Sequence, residues 1–388
     1  MSASPAPFPH DADFLVVGAG IAGAAAAYWL APHGRVVLLE REAHPGMHST
    51  GRSAALYMES YGTPQVRALT SASRAFLTQP PASFAAHPLL TPRGALMVAA
   101  PGQEALLDAH WDVVRAQDPQ ARRLDMAATC ALVPVLRPER VAGSVLEPGA
   151  ADMDVHAIHD GYLRGARAHG ARLVCDAELT ALRHDGSHWH AQAAGTVWRA
   201  PVVLNAAGAW ADIVGQLAGA QPIGLQACRR SAMLFDGPAG MDCSDWPMVY
   251  SATEEGWYIK PDAGLLLGSP ANADPVPPQD VQPEELDIAL AIHRIEHDTL
   301  LRIVRPRRTW AGLRSFVADG DLVAGFDGAR PGFFWVAAQG GYGIQTSAAM
   351  GQACAALARG LPLPPALTHH GLTPAMLSPA RLRTPAPG

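Results

Sequence analysis

The chain has 388 residues, 49% of them hydrophobic and 16% charged, with a formal net charge of −6. That length exceeds the roughly 250–300 residues at which a single hydrophobic core stops growing, so two intertwined domains are expected. The acidic balance, with no Lys/Arg block, disfavours nucleic acid, and no apolar run approaches the roughly 20 residues of a membrane-spanning helix.

Residues 1–10 lack the basic start and apolar centre of a secretory signal and read as a loose lead-in, so a cytoplasmic location is expected. Phe14 to Val17 is an apolar run, followed by Gly18-Ala19-Gly20-Ile21-Ala22-Gly23, a small-residue helix, and a second apolar run, Val36 to Leu39, closing on Glu40. The pattern predicts a dinucleotide site. Gly18 serves the tight turn, Gly20 lets backbone approach a pyrophosphate, Gly23 lets helix and strand pack closely, and Glu40 accepts the ribose hydroxyls. The helix start turns unpaired N–H groups toward the phosphates.

A small polar loop, His48-Ser49-Thr50-Gly51-Arg52-Ser53-Ala54-Ala55, precedes a helix that runs from Pro64 to the Pro80-Pro81 break. Leu96 to Ala100 reads as a strand and Gln103 to Ala116 as a helix, with a looser segment around Pro134 to Pro138. Asp154 can cap a helix from Val155 to His169, and Arg172 to Asp176, Leu179 to Arg183 and His188 to Gln192 read as a β-meander. Val202 to Trp210 is a buried strand entering a glycine turn. From Ile223 to Ser315 the pattern is sheet-rich: strands Gln226 to Phe235, Gly256 to Lys260, Leu265 to Gly268 and Thr309 to Ser315, with one helix, Pro283 to Leu300. Leu322 to Phe326 and Phe333 to Ala337 are short strands, and Gly340-Gly341-Tyr342-Gly343 opens a helix through Ala356. A glycine-rich helix start suits a flavin, because the reduced ring carries negative charge over its pyrimidine end. The Pro/Ala-rich end reads as disordered.

These motifs together resemble the glycine oxidase and D-amino acid oxidase superfamily of FAD enzymes, and within it the bacterial D-arginine dehydrogenases. The resemblance is carried by Val17 to Gly23, Glu40-Arg41, His48 to Ala55, Tyr61 to Arg67, Asn205 to Trp210, Thr309 to Phe316 and Ala338 to Gln345. It implies an α/β fold: a Rossmann-like FAD-binding domain of the glutathione-reductase type, discontinuous over 11–88, 150–217 and 318–375, and a sheet-rich α+β substrate domain over 89–149 and 218–317, with flexible tails at 1–10 and 376–388. FAD is expected along Gly18, Gly20, Ala22, Gly23, Glu40, Arg41, Ser49, Thr50, Gly51, Arg52, Ser53, Ala54, Ala55, Leu56, Leu179, Gly340, Gly341, Tyr342, Gly343, Ile344 and Gln345. Trp210 is read as packing. A tether is not expected, since neither Cys nor His occurs in Trp310 to Phe316.

Arg230 and Arg314 match positions where a guanidinium pairs with a substrate carboxylate, for which a planar, always-charged fork is suited. Tyr258 resembles a tyrosine reaching the same carboxylate, Tyr61 a lid tyrosine that excludes water, and backbone carbonyls near Gly341 the acceptors of the substrate amine. The implied reaction is hydride transfer from the Cα of a D-amino acid to flavin N5, giving an imino acid that hydrolyses to a 2-keto acid and ammonia. The electron acceptor, a quinone, a carrier or O2, is left open.

The chain departs from arginine-specific relatives where they carry a glutamate facing the substrate guanidinium: here stands Ala95. Leu56 and Met58 replace a histidine and a threonine near the lid. A cation buried without its partner is strongly disfavoured, so apolar D-amino acids are expected to be preferred over D-arginine. Glu59, in the lid segment, is the alternative source of the missing carboxylate. Sarcosine or another N-substituted amino acid is a second substrate reading, and a nucleotide-binding regulator of the same fold the non-enzymatic one. His156 and His159 have helical spacing but no third partner, and the five cysteines are scattered with no Cys-x-x-Cys pair, so no metal and no disulfide is expected.

Overall fold

Phe14–Val17 and Val36–Leu39 are buried at every position, a pattern a strand sustains only with both faces covered. In the computed structural model, which describes residues 10–253 and 256–383, they form the centre of a six-stranded sheet. Its order is Val323–Phe326, Phe333–Ala337, Val202–Asn205, Phe14–Val17, Val36–Leu39, Arg172–Val174, parallel except for the hairpin of the first two. The helix Ile21–Leu30 packs against Val155–Ala168 and Ser347–Ala358. Asp154 caps the second of these, its Oδ1 accepting from the Ala157 N–H at 2.8 Å.

Residues Leu179–His184, Trp189–Ala193 and Thr196–Ala200 form a separate antiparallel three-stranded sheet. The expected meander is therefore corrected: Arg172–Val174 leaves it to lie parallel to Val36–Leu39, and Thr196–Ala200 completes it.

The second large sheet has nine strands, eight in the order Asp274–Pro275, Gln226–Phe235, Leu265–Ser269, Tyr258–Asp262, Met248–Ser251, Ala95–Ala99, Gly143–Glu147, Arg122–Leu124, with Arg308–Phe316 also paired to Gln226–Phe235. Residues facing each other across a ladder share a face. The registers Cys228 with Arg314, Tyr250 with Tyr258, Tyr250 with Met97 and Ala95 with Glu147 therefore put Arg314, Arg230, Tyr258, Tyr250, Ala95 and Glu147 on one face. A small sheet of Leu56–Tyr57, Ala151–Met153 and Leu90–Pro92 joins the segment before Tyr61 to this layer.

Two further expectations change. Gly340 to Thr346 is a run of tight turns, and the helix opens only at Ser347; the glycines thus bring backbone turns, not a helix N-terminus, to the region. Residues 1–9 and 384–388 lie outside the described residues, but the end of the chain up to residue 383 is folded. Pro374–Leu377 and Pro379–Leu382 are helical, Arg381 Nε pairs with Asp319 at 2.8 Å, and Arg383 pairs with Asp327. Among the described residues no helix is long and apolar enough to cross a membrane, and no group of three or more His, Cys, Asp or Glu could hold a metal ion.

Candidate active site

The carboxyl ends of the parallel strands open on a long cleft, where ligands of such sheets bind. Gly18, Gly20, Ala22, Glu40, Arg41, Ser49, Thr50, Leu179 and Gly340 line it. Gly18 has φ +97° and its absent Cβ would lie 2.5 Å from the Ala206 oxygen; a Cβ on Gly23 would lie 1.9 Å from the Gly18 oxygen. The expected packing role of Gly23 is thus a matter of backbone touching backbone. Glu40 is buried, its Oε2 accepting from the Ala19 N–H at 2.9 Å and its Oε1 from the Glu42 N–H at 3.1 Å. Thr50 Oγ1 accepts from the Ile21 N–H at 3.0 Å, and no side chain caps the helix at Gly20. A buried acid, close-approach glycines and a helix start at one cleft fit the ribose and pyrophosphate of a dinucleotide.

Other expected cofactor residues divide by role. Arg52, Ser53, Ala54, Gly341, Gly343 and Ile344 line the adjoining cavity. Arg52 is occupied structurally, with Nη1 donating to the carbonyls of Val281 and Ala311 at 2.8 and 3.1 Å. Gly51 donates its N–H to Gly46 at 2.7 Å, closing a turn, and Ala55 has φ +21°. Gln345 is 2% exposed and turned into the core, where it holds Met58. Tyr342 packs edge-on against Tyr61, ring centroids 4.9 Å apart. Trp210, read as packing, lines the cleft and carries the Arg41 guanidinium 4.8 Å from its ring centroid. Lone tryptophans give no sequence signal for that role.

The adjoining cavity is lined by Arg230, Tyr258, Arg314 and Gly341. Arg230 loses hydration there and faces Arg314, which together push its pKa down to about 10. It remains a cation at neutral pH. Its Nε donates to the Asn272 carbonyl, and the guanidinium also hydrogen-bonds the Tyr258 side chain. Tyr61, Tyr258 and Tyr342 surround Arg314, and Arg314 Nη1 donates to Tyr61 Oη at 3.4 Å. A Cβ on Gly341 would sit 2.9 Å from Arg314 Nη1. Arg229, the neighbour weighed against Arg230, points to the opposite side and pairs with Asp287 at 2.7 Å and with Glu284.

Leu56, Met58 and Ala95 come together with Ala150 and Tyr250 in a small apolar cluster. Glu59 takes no part in it. Its carboxylate accepts from Tyr57 Oη at 3.0 Å and Ser71 Oγ at 2.6 Å, and Arg74 Nη1 lies 2.5 Å away. Each partner lies on its own strand or on the helix Pro64–Thr78. Sequence reasoning also missed Glu147, buried directly opposite Ala95. Its strand is short, and a single acid after the apolar pair Val145-Leu146 looks like a strand terminus.

Comparison with known proteins places these features among others. The profile of the FAD dependent oxidoreductase family (DAO) matches residues 13–357. Human mitochondrial sarcosine dehydrogenase is 25% identical over 224 residues, 55% of this chain; the chain spans about a quarter of that protein's length, 24%. Among solved structures, glycine oxidase from Geobacillus kaustophilus superimposes with a TM-score of 0.77 at 22% identity, covering 91% of this chain and 95% of that one. L-α-glycerophosphate oxidase from Mycoplasma pneumoniae, with FAD bound, gives 0.81 at 17% identity, covering 90% and 95%.

Proposed function

Because the chain belongs to the DAO family of FAD dependent oxidoreductases, we propose that it oxidises D-amino acids with neutral, apolar side chains. The observation that carries the reading is the pair Arg230 and Arg314, converging with Tyr258 on one cavity beside the cofactor cleft, with the Tyr61 hydroxyl against Arg314. Two guanidiniums facing each other repel unless an anion sits between them. A carboxylate fits that demand, with bidentate geometry from either fork.

The cleft residues Gly18, Gly20, Ala22, Glu40, Thr50 and Gly340 would hold FAD without a covalent tether, and the flavin would supply the acceptor for the Cα hydride. The protein's own part is positioning. Arg230 and Arg314 hold the carboxylate, Tyr258 adds a hydroxyl at the same end, and the Gly341 carbonyl accepts from the amine, favouring its neutral form. Fixing three substituents of Cα leaves its hydrogen in one direction, and such orientation accounts for much of the acceleration in reactions needing no side-chain base. Tyr61 closes over the carboxylate and keeps water out. The imino acid released hydrolyses to a 2-keto acid and ammonia.

The D configuration is supported by the resemblance to D-arginine dehydrogenases, and the apolar preference by the cluster of Leu56, Met58, Ala95 and Tyr250. The engagement of Glu59 by Arg74 supports the reading in which no carboxylate takes the place that Ala95 leaves apolar. We take the segments of the six-stranded sheet as the cofactor domain and those of the nine-stranded sheet as the substrate domain. The likeness to sarcosine dehydrogenase favours a second reading, oxidation of an N-methylated amino acid, which the same arginines would serve.

Anaerobic mixing of the yellow protein with D-, L- and N-methyl amino acids tests this. Fast bleaching of the visible flavin band by D-leucine or D-methionine, with D-arginine slow, is the expected result. Bleaching by sarcosine alone moves the assignment to the second reading, and fastest bleaching by D-arginine overturns the apolar one.

A further inference from the structure

Glu147 ends the strand Gly143–Glu147, one strand in from the edge of the nine-stranded sheet, and is 2% exposed. A carboxylate so far from water needs specific partners. Here Ser60 and the Glu59 backbone supply them: Ser60 donates from its N–H to Oε1 at 3.4 Å and from its Oγ to Oε2, and the Glu59 N–H also donates to the carboxylate. The other titratable groups around it are acidic or neutral: Asp118, at the end of the helix Glu104–Gln117, and Tyr57 and Tyr250. Burial, reinforced by Asp118, raises the Glu147 pKa, and the donors of Ser60 oppose that rise.

Ser60 immediately precedes Tyr61. Two residues earlier, Met58 is held from the opposite side: its N–H donates to Gln345 Oε1 at 3.2 Å, and Gln345 Nε2 donates back to its carbonyl at 3.4 Å. The strap from Met58 to Gly62 is therefore fastened at one point to the turn leading into the helix Ser347–Ala358 and at another to the substrate sheet. Between these and Gly62 it delivers Tyr61, whose ring rests on Tyr342 and whose hydroxyl meets Arg314.

We propose that Glu147 is a positioning residue that latches this strap through Ser60, holding Tyr61 over Arg230 and Arg314, and that substrate entry requires the latch to release. The proposal rests on reading Tyr61 as the lid. Glu147 touches no reacting atom; its effect passes through Ser60 to Tyr61. The substitution Glu147→Gln retains an oxygen to accept from the Ser60 hydroxyl, whereas Glu147→Ala removes both acceptors.

The test uses the flavin-loaded full chain as wild type and as Glu147→Gln, Glu147→Ala, Ser60→Ala and the Glu147→Ala/Ser60→Ala pair. Hydrogen exchange of residues 56–63 is read first. The expected result is exchange about tenfold faster in Glu147→Ala and Ser60→Ala, no further gain in the pair, and near-wild-type exchange in Glu147→Gln. Binding of a 2-keto acid, followed by the change in the flavin band without turnover, should show faster association and about tenfold faster dissociation in the same two variants. KM for the amino acid should rise with kcat held within about threefold. Unchanged exchange in Ser60→Ala overturns the latch, and this variant serves if Glu147→Ala does not fold. A changed ranking of substrate side chains in Glu147→Gln also overturns it, by making Glu147 a substrate contact. If the wild type binds no carboxylate at all, the proposed substrate class fails, while the exchange data still decide the latch.

Discussion

Arg314 Nη1 donates to Tyr61 Oη at 3.4 Å, joining residues 253 positions apart in the sequence. The contact is long and Tyr61 is 38% exposed, which suits a lid that must be left as often as it is made. Tyr61→Phe keeps the ring on Tyr342 and loses only the hydroxyl. We expect KM to rise roughly fivefold, with kcat within about twofold, the magnitude of one modest hydrogen bond to a charged group. Steady-state kinetics with the preferred amino acid measures it.

Arg229 and Arg230 should separate cleanly. Arg230→Lys keeps the charge but loses the planar fork, so kcat/KM should fall about 100-fold or more while the melting temperature stays near wild type. Asp287→Asn strips the anion from buried Arg229, which also faces Glu284 and Asp274. Breaking such a buried pair costs about 3–5 kcal/mol when no other anion remains, and less here. Thermal melts and assays of the two variants should thus rank in opposite orders.

The two cleft glycines predict a graded response. A Cβ at Gly23 meets the Gly18 carbonyl oxygen at 1.9 Å, and backbone on both sides gives no relief. Gly23→Ala should yield little folded, yellow protein. At Gly20 the nearest atom is Thr50 Oγ1 at 3.2 Å, the end of a movable side chain. Gly20→Ala should fold and bind FAD about tenfold or more weakly, because the methyl group stands where backbone would approach the pyrophosphate. Flavin titration of refolded apoprotein distinguishes the two.

Acid should destabilise the protein in a defined window. His110, half-buried against Tyr250 with Nε2 3.0 Å from the tyrosine hydroxyl, has its pKa pushed down to about 4 by loss of hydration. The unfolded chain takes up that proton near pH 6.5, so the stability is present above pH 6.5 and is lost as pH falls toward 4. The loss amounts to about 3 kcal/mol at most. His159, held by the Ala19 carbonyl at 2.7 Å, shifts in the same direction. Urea melts at pH 7 and pH 5 should differ clearly in the wild type and by less in His110→Gln.

Elements built from local pattern were legible in the chain. Gln226–Phe235 and the helix Pro64–Thr78 appear where the pattern put them, the helix burying one face at helical spacing and the strand buried along most of its length. The glycine turn with Glu40 was equally legible, since each residue answers to a backbone requirement. What escaped depends on partners far away in sequence. Whether Arg172–Val174 closes a meander or edges the parallel sheet is decided by the side of Val36–Leu39 left unpaired. The fates of Glu59 and Glu147 turn on Arg74, Ser71 and Ser60, which no window along the chain relates to them. The turn at Gly340 to Thr346 looked helical because glycines open helices and tight turns alike.

The confronted cations Arg230 and Arg314 make the resting cavity a trap for small anions of any origin. On the proposed reading the product, a 2-keto acid, retains the carboxylate of the amino acid it came from, and would compete with the next substrate molecule for the same two forks. Acetate or sulfate in a storage buffer enters the same competition. Rates compared between laboratories will therefore agree only where the anion composition does, and turnover in a mixture will slow before its substrate is exhausted.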